Sequence, residues 1–366
     1  MAAMTKYLSI GALCVALLAG CASAPPHTSR PTAPAPVTPA DQVIRESWIS
    51  EPAEGDELDS VAAWPSEDGA LWLIATAKSS HRLLVYDGDS GRPLRQVGGR
   101  GHGPGQFERP NGIAVFGDLL FVTERDNHRV QVFELPDFTP LAAFGAGELR
   151  FPYGLWLHEI GPGELEVLVT DSFMEDVEKR VLPALSQLDQ RVRRYRVDRG
   201  DDGRLRARYL GAFGDTGPDG ALRMVESIAG DPAHDRLLIA DEDRRVGSTL
   251  REYGFDGRYQ GSSLPVFDAD AEGISLWACS AEDGYWIAVD QVAPTLFRVY
   301  DRRTLQPVGI FRGEQVANTD GQTLYAAPTA RFPAGALFAL HDDRSLAAFD
   351  LRDVARALAL RQDCLQ

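Results

Sequence analysis

Beyond its first forty residues the chain is a succession of short apolar runs separated by turn formers, and the runs fall into six units. Each unit opens with one residue in register, Asp59, Asn111, Tyr153, Glu226, Glu272 and Asp320 in turn. A small residue follows, then mostly apolar or alternating positions: SVAAW, GIAV, GLWL, SIAG, GISL and GQTL. This is the pattern of a buried strand. A second β-rich run follows in every unit, LWLIATAK, LLFVTER, VLVTDS, LLIADE, YWIAVDQ and ALFALHD. These runs end at a second register of Lys78, Arg125, Ser172, Glu242, Gln291 and Asp342. A third strand, such as LLVYD, VQVFEL or LFRVYD, completes most units.

Units of three or four short strands repeating every 35–60 residues or so predict a β-propeller, because radial repetition leaves few sheet edges open. Six units predict an all-β, six-bladed β-propeller. The innermost strand of each blade lines the axis, so a residue that opens every innermost strand projects into one ring at one mouth of the channel. Asp59, Glu226, Glu272 and Asp320 are therefore expected around one axial cavity, with Lys78, Arg125 and Glu242 close behind. One unit departs from the pattern. The segment 173–191, FMEDVEKRVLPALSQLDQR, has helical composition interrupted by Pro183, which predicts a helical insertion in the third blade lying over one mouth.

The first residues carry Lys6, then the apolar run LSIGALCVALLAG and then Cys21, so Leu18-Ala19-Gly20-Cys21 reads as a lipoprotein cleavage box. Residues 1–20 are then a signal peptide, Cys21 an acylation site, 21–45 a Pro-rich tether and 46–366 the propeller. The expected location is the bacterial cell envelope, lipid-anchored at the outer membrane, and the expected state is a monomer. With Cys14 removed and Cys21 acylated, Cys279 and Cys364 remain, either paired or as two thiols.

Net charge is −16, from 53 acidic and 37 basic side chains. Such a surface repels nucleic acid and favours cations. A solvated acidic surface accounts for most of these charges, but not for carboxylates recurring at one register of a repeat. The second unit's GGRGHGPGQFERPNGIAV lacks the Lys and the following helix of a phosphate loop and reads as a connection between blades. This unit resembles an NHL repeat. His102, His128, His158 and His341 fall without metal-ligand spacing, and no Ser–His or Cys–His arrangement is apparent.

Taken together the units resemble the β-propeller phytases, calcium-dependent enzymes that release phosphate from inositol hexakisphosphate. The resemblance is carried by DAEGISLWACSAEDGYWIAVDQ at 270–291, RLLIADED at 236–243, LIATAK at 73–78, the arginine of TER at 125, PYGLWLHE at 152–159 and NTDG at 318–321. It implies that Asp59, Glu226, Glu242, Asp270, Glu272 and Asp320 are calcium ligands, with Glu226, Glu272 and Asp320 also catalytic. It implies that Lys78, Arg125 and Tyr153 contact the phosphate of a phosphorylated small molecule. The chain departs from the family in three places: Asp59-Ser60 replaces a pair of acids, Ser172 stands where a phosphate lysine falls, and the insertion is foreign to the pattern. Two other readings remain open. One is a non-catalytic, NHL-like propeller that binds a protein or small ligand, and the other a metal-dependent propeller enzyme such as a lactonase.

Overall fold

The computed structural model describes residues 42–200 and 202–365, so the signal segment and Cys21 lie outside the described residues. Six antiparallel sheets run Leu58–Gly98, Pro110–Phe144, Pro152–Phe213, Val225–Ser263, Ala271–Arg312 and Gln322–Asp350, one for each sequence repeat. Their first strands are Leu58–Pro65, Pro110–Phe116, Pro152–Gly161, Val225–Asp231, Ala271–Ala278 and Gln322–Tyr325. Each of these touches the next and the last touches the first, which closes a six-bladed β-propeller around them.

Alternation explains why the middle strands look apolar throughout. On the second strand of blade one, Leu73 and Ala75 enter the core shared with blade six, while Ile74 enters the core shared with blade two. Leu84 and Tyr86 of the next strand go the first way, Leu83 and Val85 the second. Both faces of a blade are thus interfaces, and the core is distributed over six such seams. Burying a side chain of this size stabilises the fold by about 1.5–3 kcal/mol.

The ring is closed by the segment that precedes blade one. Trp48–Ile49 pairs antiparallel with Ser345–Asp350 and supplies the outer strand of blade six. Gly91 lets the Trp48 ring lie against the blade one turn, since a Cβ there would sit 2.5 Å from the ring and its φ is +72°. Gln42–Val43 pairs parallel with Pro307–Arg312, and Ile44 is buried between blades five and six. Residues 42–45, expected in the tether, are therefore part of the folded unit. At the other end, Asp350 caps the helix Leu351–Ala357 by accepting the Arg352 N–H at 2.8 Å. Cys279 and Cys364 form a disulfide that ties the last turn to blade five.

The insertion lies where expected in blade three, but its helical content is small. Asp176 and Val181 form an isolated bridge around a four-residue turn, and one 3-10 turn spans Leu185–Gln187. Pro183 explains the break, because it offers no N–H and restricts the residue before it.

One residue before each mouth position, blades two to five place a fully buried carboxylate: Glu124, Asp171, Asp241 and Asp290. Each accepts backbone N–H groups of the segment leading into the blade, such as Phe151 on Asp171 at 2.7 Å and Met224 on Asp241 at 2.9 Å. Each also pairs with a guanidinium from the third strand, namely Arg129, Arg193, Arg251 and Arg298. These acids fix the loops that carry the mouth.

Candidate functional site

In blades one to five the first strand loses its register with the second at the same point, between Leu58 and Val61, Pro110 and Ile113, Pro152 and Leu155, Val225 and Ile228, and Ala271 and Ile274. Such a bulge re-aims a side chain. Here it aims the strand-opening residue of the repeat at the axis. The small residue that follows permits the strands to converge. A Cβ on Gly112 would lie 2.4 Å from the Tyr153 carbonyl oxygen, on Gly154 2.7 Å from that of Glu226, and on Gly321 2.5 Å from that of Asp59.

Three threonines stitch the ring, and sequence reasoning passed over them. Thr76 donates to the Asn111 carbonyl at 2.6 Å, Thr123 to that of Tyr153, and Thr170 to that of Glu226 at 2.7 Å. Each joins its own blade to the opening residue of the next. The signal was present in ATAK, VTER and VTDS, where Thr stands two residues before the mouth position.

The openers converge as the repeat predicts. Asp59, Tyr153, Glu226, Glu272 and Asp320 line one cavity of about 20 Å³, room for a single water or ion. Beyond it the channel widens to about 470 Å³, lined by all six inner strands. The acids divide into two groups. On one side the Lys78 ammonium lies 2.9 Å from Asp59, 3.2 Å from Asp320 and 3.5 Å from Glu57. Gln291 also donates to Asp320, and Asn111 to Asp59 at 3.4 Å. On the other side Glu226, Glu242 and Glu272 bring carboxylate oxygens within 4.8 Å of one another, and among the described residues no Lys or Arg forms an ion pair with them. Glu242 is 7% exposed, and its Oε1 has no hydrogen-bond partner.

This division sets the electrostatics. Burial, and then the neighbouring acids, push Glu226 and Glu272 well above the ordinary carboxyl range. Burial likewise pushes Glu242 up to about 7, opposed by hydrogen bonds from Glu272 and Glu226. Asp320 rises to about 8 through burial, partly offset by Lys78. Burial alone would lower Lys78, yet Asp59 and Asp320 hold its ammonium above the ordinary value. The Tyr153 hydroxyl is raised well above its usual range by burial and by Glu226 and Asp59, so it stays protonated. Three carboxyls this close share protons and titrate as a unit.

Three expected site residues stand apart or are differently engaged. Asp270 forms a two-point pair with Arg244 at 2.6 and 2.8 Å and lies outside the triad. Arg125 pairs with Asp126 at 2.7 Å, and its guanidinium stacks 4.7 Å from the Phe151 ring. Lys78 is at the cavity but held by three carboxylates.

Comparison with known proteins adds a repeat and the fold class. Residues 107–133, which begin just before blade two and cover its first three strands nearly to their end, match the NHL repeat. No curated protein matches the chain. Hydrazine synthase of Kuenenia stuttgartiensis is similar in structure, with 13% identity over 86% of this chain and 82% of that one and a TM-score of 0.45. Virginiamycin B lyase of Staphylococcus aureus shows 12% identity over 83% and 89%, with a TM-score of 0.45. A chain of a nidogen/laminin complex shows 14% over 73% and 84%, with a TM-score of 0.47. At this distance none of them speaks to chemistry. The chain is a six-bladed β-propeller carrying an NHL repeat.

Proposed function

We propose that the axial mouth binds a divalent cation, calcium, and that the protein is a calcium-dependent phosphoester hydrolase of the phytase type. The observation that carries this reading is the triad of Glu226, Glu242 and Glu272, the last two buried and the first partly so, with no ion pair to any described residue and one oxygen unpartnered. Isolating three carboxyls in this way is costly unless something positive joins them. Oxygen donors alone, taken from two adjacent blades, suit a hard cation that accepts irregular geometry. Asp59 and Asp320 lie across the same small cavity and can extend the ligand set, while Asp270 would have to leave Arg244.

Calcium, when bound, supplies the charge that draws a phosphate group into an acidic mouth and polarises its P–O bonds. The chain supplies the rest. Tyr153 keeps its proton and can donate a hydrogen bond to a phosphate oxygen. Glu226 and Glu272 hold protons near neutrality without metal and would release them on taking up calcium, which leaves Glu226, Glu272 and Asp320 as the acids beside a reacting group. The Lys78 ammonium neutralises Asp59 and Asp320 and keeps an anion from meeting two bare carboxylates.

The same reading takes the chain to the bacterial envelope through an acylated Cys21. The Cys279–Cys364 disulfide supports an oxidising compartment. A second reading is a non-catalytic, NHL-like propeller that binds an envelope partner. It draws support from the NHL match and from the engagement of Lys78, Arg125 and Arg244 with carboxylates.

The test is calcium titration by calorimetry together with phosphate release from inositol hexakisphosphate. Glu272→Gln should weaken calcium binding at least tenfold and abolish release, because an amide lacks the charge a hard cation prefers. Calcium binding without release of phosphate from any ester would leave the binding-scaffold reading in its place.

A further inference from the structure

Two groups of acids share the axial mouth, and the cavity they line admits a single ion. The triad is the group without a counter-charge. The other group is already filled, because the Lys78 ammonium sits 2.9 Å from Asp59, 3.2 Å from Asp320 and 3.5 Å from Glu57. These acids belong to the openings of blades one and six, and the end of the second strand of blade one brings the lysine to them.

An ammonium among carboxylates has two uses, and the geometry separates them. A lysine that reads a phosphate keeps N–H donors for it, whereas Lys78 has three donors and three carboxylates around them. Lys78 and Asp59 are both buried, so their pair lies below the surface that an incoming anion meets. The pocket also holds more oxygen than the ammonium uses. Asn111 is fully buried and donates at 3.4 Å to the same Asp59 oxygen that Lys78 contacts, and its own carbonyl oxygen, Oδ1, has no partner. A neutral carbonyl oxygen beside carboxylates is a donor that calcium accepts and that this ammonium leaves idle.

We propose that Lys78 is a built-in cation: its ammonium occupies a second metal position of the mouth, formed by Asp59, Asp320, Glu57 and Asn111, and so limits the protein to one calcium ion, the one at the triad. The inference rests on the calcium reading above. Its physical basis is competition. The ammonium is carried by the fold and needs no capture from solution, whereas a free ion entering this position must displace it and strand a buried ammonium without its counter-charges.

Removing the ammonium should therefore add a metal ion. In full-length protein at millimolar calcium, calorimetry and equilibrium dialysis should give one ion per chain for the wild type and two for Lys78→Ala and Lys78→Gln. The glutamine variant keeps bulk and a neutral oxygen in the pocket, which guards against a fold that fails when the side chain is cut back. Lys78→Arg keeps the charge and should stay at one. Calcium should also raise the melting temperature of Lys78→Gln by more than that of the wild type, since the variant takes up one ion more. If both neutral variants fold and still bind one ion, or if the wild type binds two, the role of Lys78 is overturned while the calcium of the triad stands. Failure of both to fold even in millimolar calcium also overturns it, because an ion in the vacated position should restore the charge balance. A wild type that takes up no calcium sinks the proposed function, and the count of one ion with it.

Discussion

Asp241 and Glu242 are consecutive in the chain, both buried, and opposite in their electrostatics. Asp241 accepts the N–H groups of Arg223 and Met224 and pairs with Arg251 at 3.0 Å. Glu242 meets two further acids and no paired cation, and burial lifts it to about 7. Elsewhere on the ring Glu124, Asp171 and Asp290 are paired with arginine as Asp241 is, whereas Glu226 and Glu272 share the surroundings of Glu242. Burial of an acid therefore says little about its role. The number of donors and cations that face it decides whether it holds the fold together or waits for something positive.

The largest expected effect breaks the structural member. Asp241→Asn leaves the Arg251 guanidinium buried without its counter-charge, which should cost about 3–5 kcal/mol in urea unfolding. Calcium should not restore that loss. A cost under about 1 kcal/mol would mean that the two rings do not differ in kind.

A somewhat smaller effect concerns pH. Glu242 and Asp320 have folded values raised above their ordinary 4.5 and 3.8, so the native state binds more protons than the unfolded one. In chelator, the stability they contribute is fully present below the unfolded values and is lost as pH rises through about 7 and about 8. The direction of the fall, not its size, is the expected outcome. Calcium should flatten it, and Glu242→Gln in chelator should remove the portion that belongs to that residue. Melting curves at several pH values, with calcium and with chelator, check the sign; stability that climbs from pH 5 to pH 8 in chelator would contradict it.

The smallest effect sharpens the comparison by moving a ligand without touching its carboxylate. Thr170 accepts from the Gly154 N–H at 2.8 Å and donates to the Glu226 carbonyl at 2.7 Å. Thr170→Val should cost about 1–2 kcal/mol, since both backbone groups lose a partner. It should also weaken calcium binding severalfold by releasing the backbone that aims Glu226. An unchanged calcium affinity in a destabilised variant would show that the bulge alone positions this ligand.

Much of this architecture was legible in the residues. The six X-small-apolar openings announced six inner strands, and equivalence by repeat announced which side chains meet on the axis, because a propeller turns periodicity in sequence into rotation in space. The NHL character of the second unit was likewise readable. Other features were not. The pairing of Trp48–Ile49 with blade six, and of Gln42–Val43 with blade five, joins segments too short to show any period. Composition favoured a helix at 173–191, yet Pro183 and the absence of a continuous apolar face leave a turn there.

Sequence alone determined the fold class and the membership of the axial ring, since both follow from periodic patterning and local strand chemistry. Only the tertiary structure decided which acids are satisfied. Lys78 was recognisable as a mouth residue, but not that Asp59, Asp320 and Glu57 would surround it, and Asp270 was indistinguishable from Glu272 until Arg244 closed on it. Charge pairing depends on distances between blades that are remote in the chain. A carboxylate carries no mark in the sequence of whether a guanidinium from another strand will reach it, and that reach is what separates the acids that lock the loops from those left without a counter-charge.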